Sequence, residues 1–373
     1  MMAKVKMAGQ RVACVRPFLS VELDNIGRVF TCCNGYIKFP IGNIFEQSFE
    51  EIWNGERARE IRRKMLAGDL SCCNMDICNT RDLCGERTLD RNLSADELAA
   101  LGEKMIYPRG VLLANDEECN VACMMCRHKV IAHSDQELAK MSAGNDNILS
   151  MLKNAELVYV SGKGDPFSSR YMRALIKQIV QTYPQMKFRV STNGILASKE
   201  LFEDLGLLRS ESGGDEDRVT QVNFSIHAAT EKTYNKIVKG GNWQAVMRNL
   251  KWLSERQRAG RIKELFMIFV LSSLNFRELP DFLRLTRQFG ANPLIWDYKN
   301  WGVQSGLEAR NLAVFDPRHR DYPELVEILQ DEEIKLHLHG DVFSPALLKA
   351  MAAQLRARTP DEIAASKRWH SGD

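Results

Sequence analysis

The chain has 373 residues, of which 45% are hydrophobic and 27% charged, enough apolar material for a large core and too long for one small domain. Lys and Arg outnumber Asp and Glu by only 51 to 48, a net charge of +3 that gives no electrostatic case for a nucleic-acid partner. No apolar stretch approaches the ~20 residues of a membrane-crossing helix, and the stretch from Met1 to Met7 lacks a secretory apolar run, so composition predicts a cytoplasmic protein with no membrane partner.

There are ten cysteines, which in the absence of a secretory signal point to metal ligation rather than disulfides. Seven of the ten fall within residues 1–100: Cys14, Cys32, Cys33, Cys72, Cys73, Cys78 and Cys84. Two strand-like runs, Phe18 to Leu23 and Arg28 to Thr31, flank an Asp24 to Gly27 turn and predict a hairpin carrying the first of them. Ser48 followed by Glu51 is a capping box that opens a helix running to about Ala67 and stopping at Gly68. On this helix Arg57, Arg59, Arg62, Arg63 and Lys64 fit a solvated face.

Residues 101–305 alternate strand-like and helix-like runs, which implies parallel strands joined by crossover helices. Six strands are expected near 110–114, 156–160, 187–191, 219–226, 264–271 and 293–297. Ser198, Thr230 and Asn242 mark helix starts. The Gly213 to Asp217 stretch reads as a solvated loop. Residues 306–373 read as mostly helical, giving a division into 1–100, 101–305 and 306–373.

The first predicted strand of the middle part leads into Cys119, Cys123 and Cys126, a C-x3-C-x2-C triplet on a loop leaving the strand's C-terminal end. Three thiolates can hold three irons of a [4Fe–4S] cube and leave the fourth open to another ligand. A zinc site or three unrelated buried thiols is the alternative, but zinc sites close with a fourth Cys or His at short range, and only His128 and His133 are near.

The triplet resembles the signature of the radical S-adenosylmethionine (SAM) enzymes. The resemblance implies a partial (β/α)6 TIM-like barrel, a [4Fe–4S] cluster whose open iron binds SAM, and reductive cleavage of SAM to a 5′-deoxyadenosyl radical. Further turns follow in family order. Ser161 to Pro166 resembles the Gly-Gly-Glu-Pro turn that receives the SAM ammonium, which assigns Gly162, Gly164 and Asp165 to the cofactor; Lys163 interrupts the glycine pair and Asp165 is shorter than the usual Glu. Thr192 and Asn193, in a Thr-Asn-Gly turn, line the cofactor side in relatives. Ser225 matches a ribose-contacting position, and Asn275 and Glu278 match adenine- and carboxylate-side residues, although Asn275 could equally cap the helix from Phe276 to Phe289. Strand alternation puts His227 on the same face as Ser225, either as a satisfied structural histidine or, with Asp297 at the end of the sixth strand, as a proton acceptor beside the substrate. Asp297, Tyr298 and Lys299 are substrate-contact candidates.

The N-terminal part resembles the SPASM and twitch auxiliary-cluster modules, through Cys14, Gly27 and Cys32 in their spacing and through the Ile41 to Asn43 and Glu51 to Asn54 stretches. It precedes the barrel instead of following it and lacks the Cys-x2-Cys pair of a two-cluster module. One auxiliary [4Fe–4S] cluster on Cys14, Cys32, Cys73 and Cys78 is therefore expected, with Cys33, Cys72 and Cys84 left open and a structural zinc site as the alternative. The resemblance implies an external reductase such as flavodoxin or ferredoxin. Relatives with such modules act on ribosomal peptides, sugars and other small metabolites; with no recognisable peptide-docking segment before the module, oxidation or epimerisation of a carbohydrate-like or other small metabolite is expected. A radical SAM maturase of a ribosomal peptide is the second reading; a non-catalytic electron-transfer or metal-binding protein is the contrasting class.

Overall fold

The structure is a computed structural model describing residues 14–75, 78, 107–161, 163–210, 216–300, 304–336 and 342–343. Among these, the strands are β1 (Ser20–Asp24), β2 (Arg28–Phe30), β3 (Gly42–Asn43), β4 (Gly110–Ala114), β5 (Ala122–Cys123), β6 (Leu157–Val160), β7 (Lys187–Thr192), β8 (Val219–Ser225), β9 (Val238–Lys239), β10 (Glu264–Leu271) and β11 (Asn292–Asp297). The main sheet runs β11-β10-β8-β7-β6-β4-β1-β2-β3, with every pair from β11 through β4 to β1 parallel. Strands β4, β6, β7, β8, β10 and β11 lie where the apolar runs place them, giving a mixed α/β fold with a large parallel sheet. The small β5–β9 pair stands apart.

The N-terminal hairpin is bonded into this sheet. β1 pairs in parallel with β4 from Ser20 opposite Gly110 to Asp24 opposite Ala114. It begins two residues later than Phe18, because Pro17 sits in the first turn of a short Arg16–Leu19 helix, where its missing N–H costs nothing. Since β2 runs back along β1, Cys32 and Cys33 emerge at the end of the sheet opposite the Cys119 to Cys126 loop.

Helix starts follow the sequence signals. Ser48, Ser198, Thr230 and Asn242 each accept a backbone N–H from three residues on, filling a donor that the first helical turn leaves open. The helix expected from Ser48 to Ala67 is broken at Asn54 and Gly55 into Phe49–Trp53 and Glu56–Leu66. The expected Phe276 to Phe289 helix opens with a 3-10 turn at Phe276–Glu278 and ends at left-handed Gly290. The C-terminal part contributes Gly306–Leu312, Tyr322–Ile328 and Glu332–Leu336.

One face of the sheet is covered by helices: Leu265, Met267, Phe269 and Leu271 are fully buried, and the Phe269 ring lies 4.7 Å from that of Phe282. The opposite face carries a polar chain in which Asn223 donates to Tyr159 (2.8 Å), whose hydroxyl meets that of Ser191 at 2.8 Å.

Two charged groups read as solvated are buried instead. Arg62 donates to the carbonyls of Pro17 (3.1 Å) and Trp53 (2.9 Å) and stacks 4.0 Å from the Trp53 ring centroid. Its helical spacing matches that of its exposed neighbours, and only the turn of the chain at Asn54 brings Trp53 beneath it. Asp217, at the end of the supposed loop, receives Arg256 at 2.6 Å and Arg261 at 3.2 Å and is fully buried. Asp217→Ala would strand two buried guanidinium groups, a loss of about 3–5 kcal/mol; anaerobic urea unfolding should show a clearly lower midpoint, and an unchanged midpoint would contradict the pairing.

Candidate functional site

The cysteine loop leaves β4 at the C-terminal end of the parallel strands, the end at which such sheets bind ligands. Backbone bonds fix its course. Cys119 pairs with Ile131 (N to O 2.9 Å), β5 pairs with β9, and Met124 donates to Ile237 at 2.9 Å. Burial pushes the Cys123 thiol up to about 12, and the neighbouring Cys126 and Cys119 thiols push the same way. Burial also raises Cys119. Thiolates can gather here only with cations, and coordinated metal ions deprotonate thiols outright. Arg127 adds one positive charge, donating to Cys126 Sγ (3.5 Å) and to the Glu117 carbonyl (2.7 Å). Among the described residues no three His, Cys, Asp or Glu groups converge on a point that one ion could occupy. Three separate thiols sensing one another fit a cluster that takes one thiolate per iron. His133, one of the two histidines near the triplet, meets Asp116 through Nε2 at 2.7 Å.

The turns after β6 and β7 support this loop from below. Gly164 lies so close to it that a Cβ would stand 2.4 Å from the Glu118 carbonyl oxygen. Asp165 was expected at the cofactor's ammonium, but its carboxylate accepts from the N–H groups of Phe167 (3.0 Å), Ser168 (3.2 Å) and Asn193 (2.6 Å) and from the Thr192 hydroxyl (2.8 Å). All four acceptor sites are used, so Asp165 locks the β6 turn to the β7 turn. Thr192 is held there with it, while the Asn193 amide reaches up to Asn120 (2.8 Å) and towards Cys119 Sγ (3.9 Å). Lys163, the residue that interrupts the glycine pair, bridges Asn25 of the hairpin (3.1 Å) and Glu117 (3.2 Å). Gly162 lies outside the described residues.

Ser225 ends β8 half-buried on the polar face. His227 does not continue its alternation: the strand stops at Ser225 and His227 adopts a left-handed backbone with φ of 59°. Its Nδ1 accepts the Val270 N–H at 3.2 Å, so the ring proton sits on Nε2 and the one lone pair is taken. Burial lowers this histidine to about 4, keeping it neutral. In this arrangement the ring is a buried, hydrogen-bonded part of the turn after β8. Asp297 is likewise turned away from the polar face. It pairs with Leu271 on the helix-covered face, and Trp296, opposite Val270, takes the place on Ser225's face.

Asn275 and Glu278 are also spent on the turn around His227. The Asn275 amide donates to the carbonyls of His227 and Val270, both at 2.9 Å, and its oxygen accepts from Ser272 N–H and hydroxyl, leaving nothing for an adenine. The Glu278 carboxylate accepts from the N–H groups of Ala229 (2.8 Å) and Thr230 (3.2 Å) and from the hydroxyls of Thr230 and Thr233. Because the unfolded chain binds a proton at His227 from about 6.5 downward while the folded chain resists until about 4, this residue's contribution is complete above pH 6.5 and is lost as pH falls towards 4. We expect the anaerobic thermal midpoint to drop on acidification from pH 7 to 5 less steeply in His227→Asn than in the native chain; equal slopes would contradict the buried neutral ring.

Sequence reasoning missed several residues that hold the loop. Asp116 takes His133 and the Glu118 N–H (2.8 Å) on one oxygen and the Ser169 hydroxyl on the other. Gln304 donates to the Met124 carbonyl and accepts from Tyr298 at 2.9 Å. Asp116 directly follows the β4 exit and could have been flagged by position; Gln304 carried no local signal.

At the other end of the sheet, bonds from Lys38 to Cys72 (3.1 Å) and from Asn74 to Tyr36 (2.8 Å) staple two turns together. The Cys73 thiol lies within electrostatic reach of Cys72, Cys78 and Cys32. Arg16 donates to Cys32 Sγ at 3.7 Å, and Cys14 is half-buried at the start of the Arg16–Leu19 helix. Cys33 is pushed up to about 12 by burial and then by Glu22. Glu22 itself is pushed up to about 7 by burial, against a bond from the Asn34 N–H. This thiol set, like the other, fits a cluster. Cys84 lies outside the described residues.

A family model described as "Iron-sulfur cluster-binding domain" (SPASM) matches residues 14–80, and one described as "Radical SAM superfamily" matches residues 117–286. A "Probable GTP 3',8-cyclase" of Methanocaldococcus jannaschii is 24% identical over 189 residues, 49% of this chain and 56% of the relative. The chain thus spans about half the length of this curated relative. Similar solved structures include TYW1 with a lysine-pyruvate adduct bound (TM-score 0.37, 17% identity, 60% of this chain and 74% of that one). Streptococcus suis SuiB bound to S-adenosylmethionine is another (TM-score 0.37, 13% identity, 74% and 57%). The chain is a member of the radical SAM superfamily with its auxiliary module N-terminal to the radical SAM domain, and it carries a SAM-binding [4Fe–4S] cluster and an auxiliary iron–sulfur cluster.

Proposed function

We propose that this protein is an enzyme whose six parallel strands form a partial barrel and whose substrate is a small metabolite, oxidised at an unactivated C–H bond. The observation that carries the reading is the Cys119, Cys123 and Cys126 loop at the C-terminal ends of the strands, with a second thiol set at the opposite end. When bound, the SAM cluster supplies, with one electron from an external reductase, cleavage of the SAM C–S bond to methionine and a 5′-deoxyadenosyl radical that takes a hydrogen atom from the substrate. The chain's own contribution is position and dryness. Asn193, Gln304 and Asp116 fix the loop, and Gly164 leaves room beneath it. Tyr159, Ser191 and Asn223 offer hydroxyl and amide groups on the open face, suited to a polar metabolite such as a sugar. The name of the Methanocaldococcus relative also specifies a small molecule, GTP. Cys14, Cys32, Cys73 and Cys78 are the proposed auxiliary ligands, and the cluster they would hold is the proposed acceptor of the electron left by an oxidised substrate.

Anaerobically reconstituted protein given SAM and dithionite should release 5′-deoxyadenosine and methionine. Absence of both products with clusters intact would overturn the reading. Sugars and nucleotides, not peptides, should stimulate the release.

A further inference from the structure

Beside the cysteine loop lies a cavity of about 770 Å³, walled by Met124 and Arg127 of the loop, by Lys239, by Leu274 after β10 and by the Gly306–Leu312 helix with the turn that follows it. Its volume suits a small molecule. Five cationic side chains line it, Arg127, Lys239, Arg310, Arg318 and Arg320, against two carboxylates, Glu308 and Asp316.

Most of these charges are already committed. Arg318 closes on Asp316 with two bonds of 2.9 and 2.6 Å, and Glu308 accepts the Ser305 N–H at 2.9 Å. Arg320 approaches Asp321 (3.8 Å), and Arg127 serves Cys126 and Glu117. Lys239 and Arg310 remain. Neither meets a carboxylate among the described residues, and Arg310 uses only Nε, donating to the Gly306 carbonyl at 3.1 Å. Lys239 is held by β9, which pairs with β5 of the cysteine loop, so its position is tied to the cluster site.

Resting on the proposed reading of that loop, we infer that this cavity binds an anionic group of the substrate, a phosphate or carboxylate, through Lys239 and Arg310. Two uncompensated cations in a concave wall attract an anion over distance and meet it with charge-assisted hydrogen bonds. An anion anchored here would place the rest of the molecule beside the cysteine loop.

Calorimetric titration of the reconstituted full chain with inorganic pyrophosphate tests this. Binding is expected, weakened at least about tenfold in Lys239→Gln/Arg310→Gln and retained in Lys239→Arg/Arg310→Lys, which keeps both charges. No binding by the native chain, or equal binding by the neutralised variant, would overturn the inference. The same titration at saturating SAM separates the two sources of an anion: simultaneous binding supports a substrate group, whereas displacement by SAM would assign the two cations to the SAM carboxylate. SAM cleavage with dithionite is measured independently, so failure of the enzyme reading and failure of the anion site give different results.

Discussion

Replacing Cys119, Cys123 and Cys126 together by Ala should abolish release of 5′-deoxyadenosine while leaving about half the iron, roughly four of the eight atoms expected for two cubes. The argument is local. The loop is fixed by backbone pairing at Cys119 with Ile131 and at Met124 with Ile237, so loss of the sulfurs need not unfold it. The second thiol set is stapled by separate bonds at the other end of the sheet. Total loss of iron would mean that the two sites assemble as one. Unchanged SAM cleavage would remove the loop from the chemistry.

The complementary variant, Cys32, Cys73 and Cys78 replaced by Ala, should also lose about half the iron. Here SAM cleavage without substrate turnover should continue, while product formation falls below detection. Cys73 lies within electrostatic reach of Cys78 and Cys32, and Cys32 emerges at the end of the sheet opposite the cysteine loop, so removal of the three takes away the proposed electron acceptor and spares the source of the radical. Stoichiometric zinc with the iron of a single cube in the native protein would show that the module is structural and would end the electron-transfer role. A variant that still forms product would do the same.

Much of this arrangement was legible in the sequence because it is local. The six parallel strands are short apolar runs, and the caps at Ser48, Ser198, Thr230 and Asn242 act within three residues. The cysteine spacings survive any placement of the chain. What escaped depends on distant partners. Asp165, Asn275 and Glu278 were expected to touch the cofactor, yet their bonds go to the protein, a choice that only the folded turns reveal. The direction argued for His227 was lost to a backbone feature, since a left-handed residue breaks the alternation on which it rested. Asp297 lies on the helix-covered face by one position of strand register, and Trp296 is on the face of Ser225. Asp217 and Arg62 looked like surface charges because nothing nearby in sequence names Arg256, Arg261 or Trp53 as partners.

The parallel pairing of β1 with β4 makes the N-terminal module something other than a detachable cassette. β2 covers one edge of β1 at once, but on the other edge Ser20 waits for Gly110, ninety residues further on, and closure across so long a loop is slow. Clipping the module away would not liberate a smaller enzyme. It would uncover the backbone donors and acceptors of β4, a raw sheet margin flanked by Val111 and Leu113, which neighbouring molecules could extend. Engineers seeking a minimal catalyst should keep the β1–β2 hairpin on β4 and change the cavity instead.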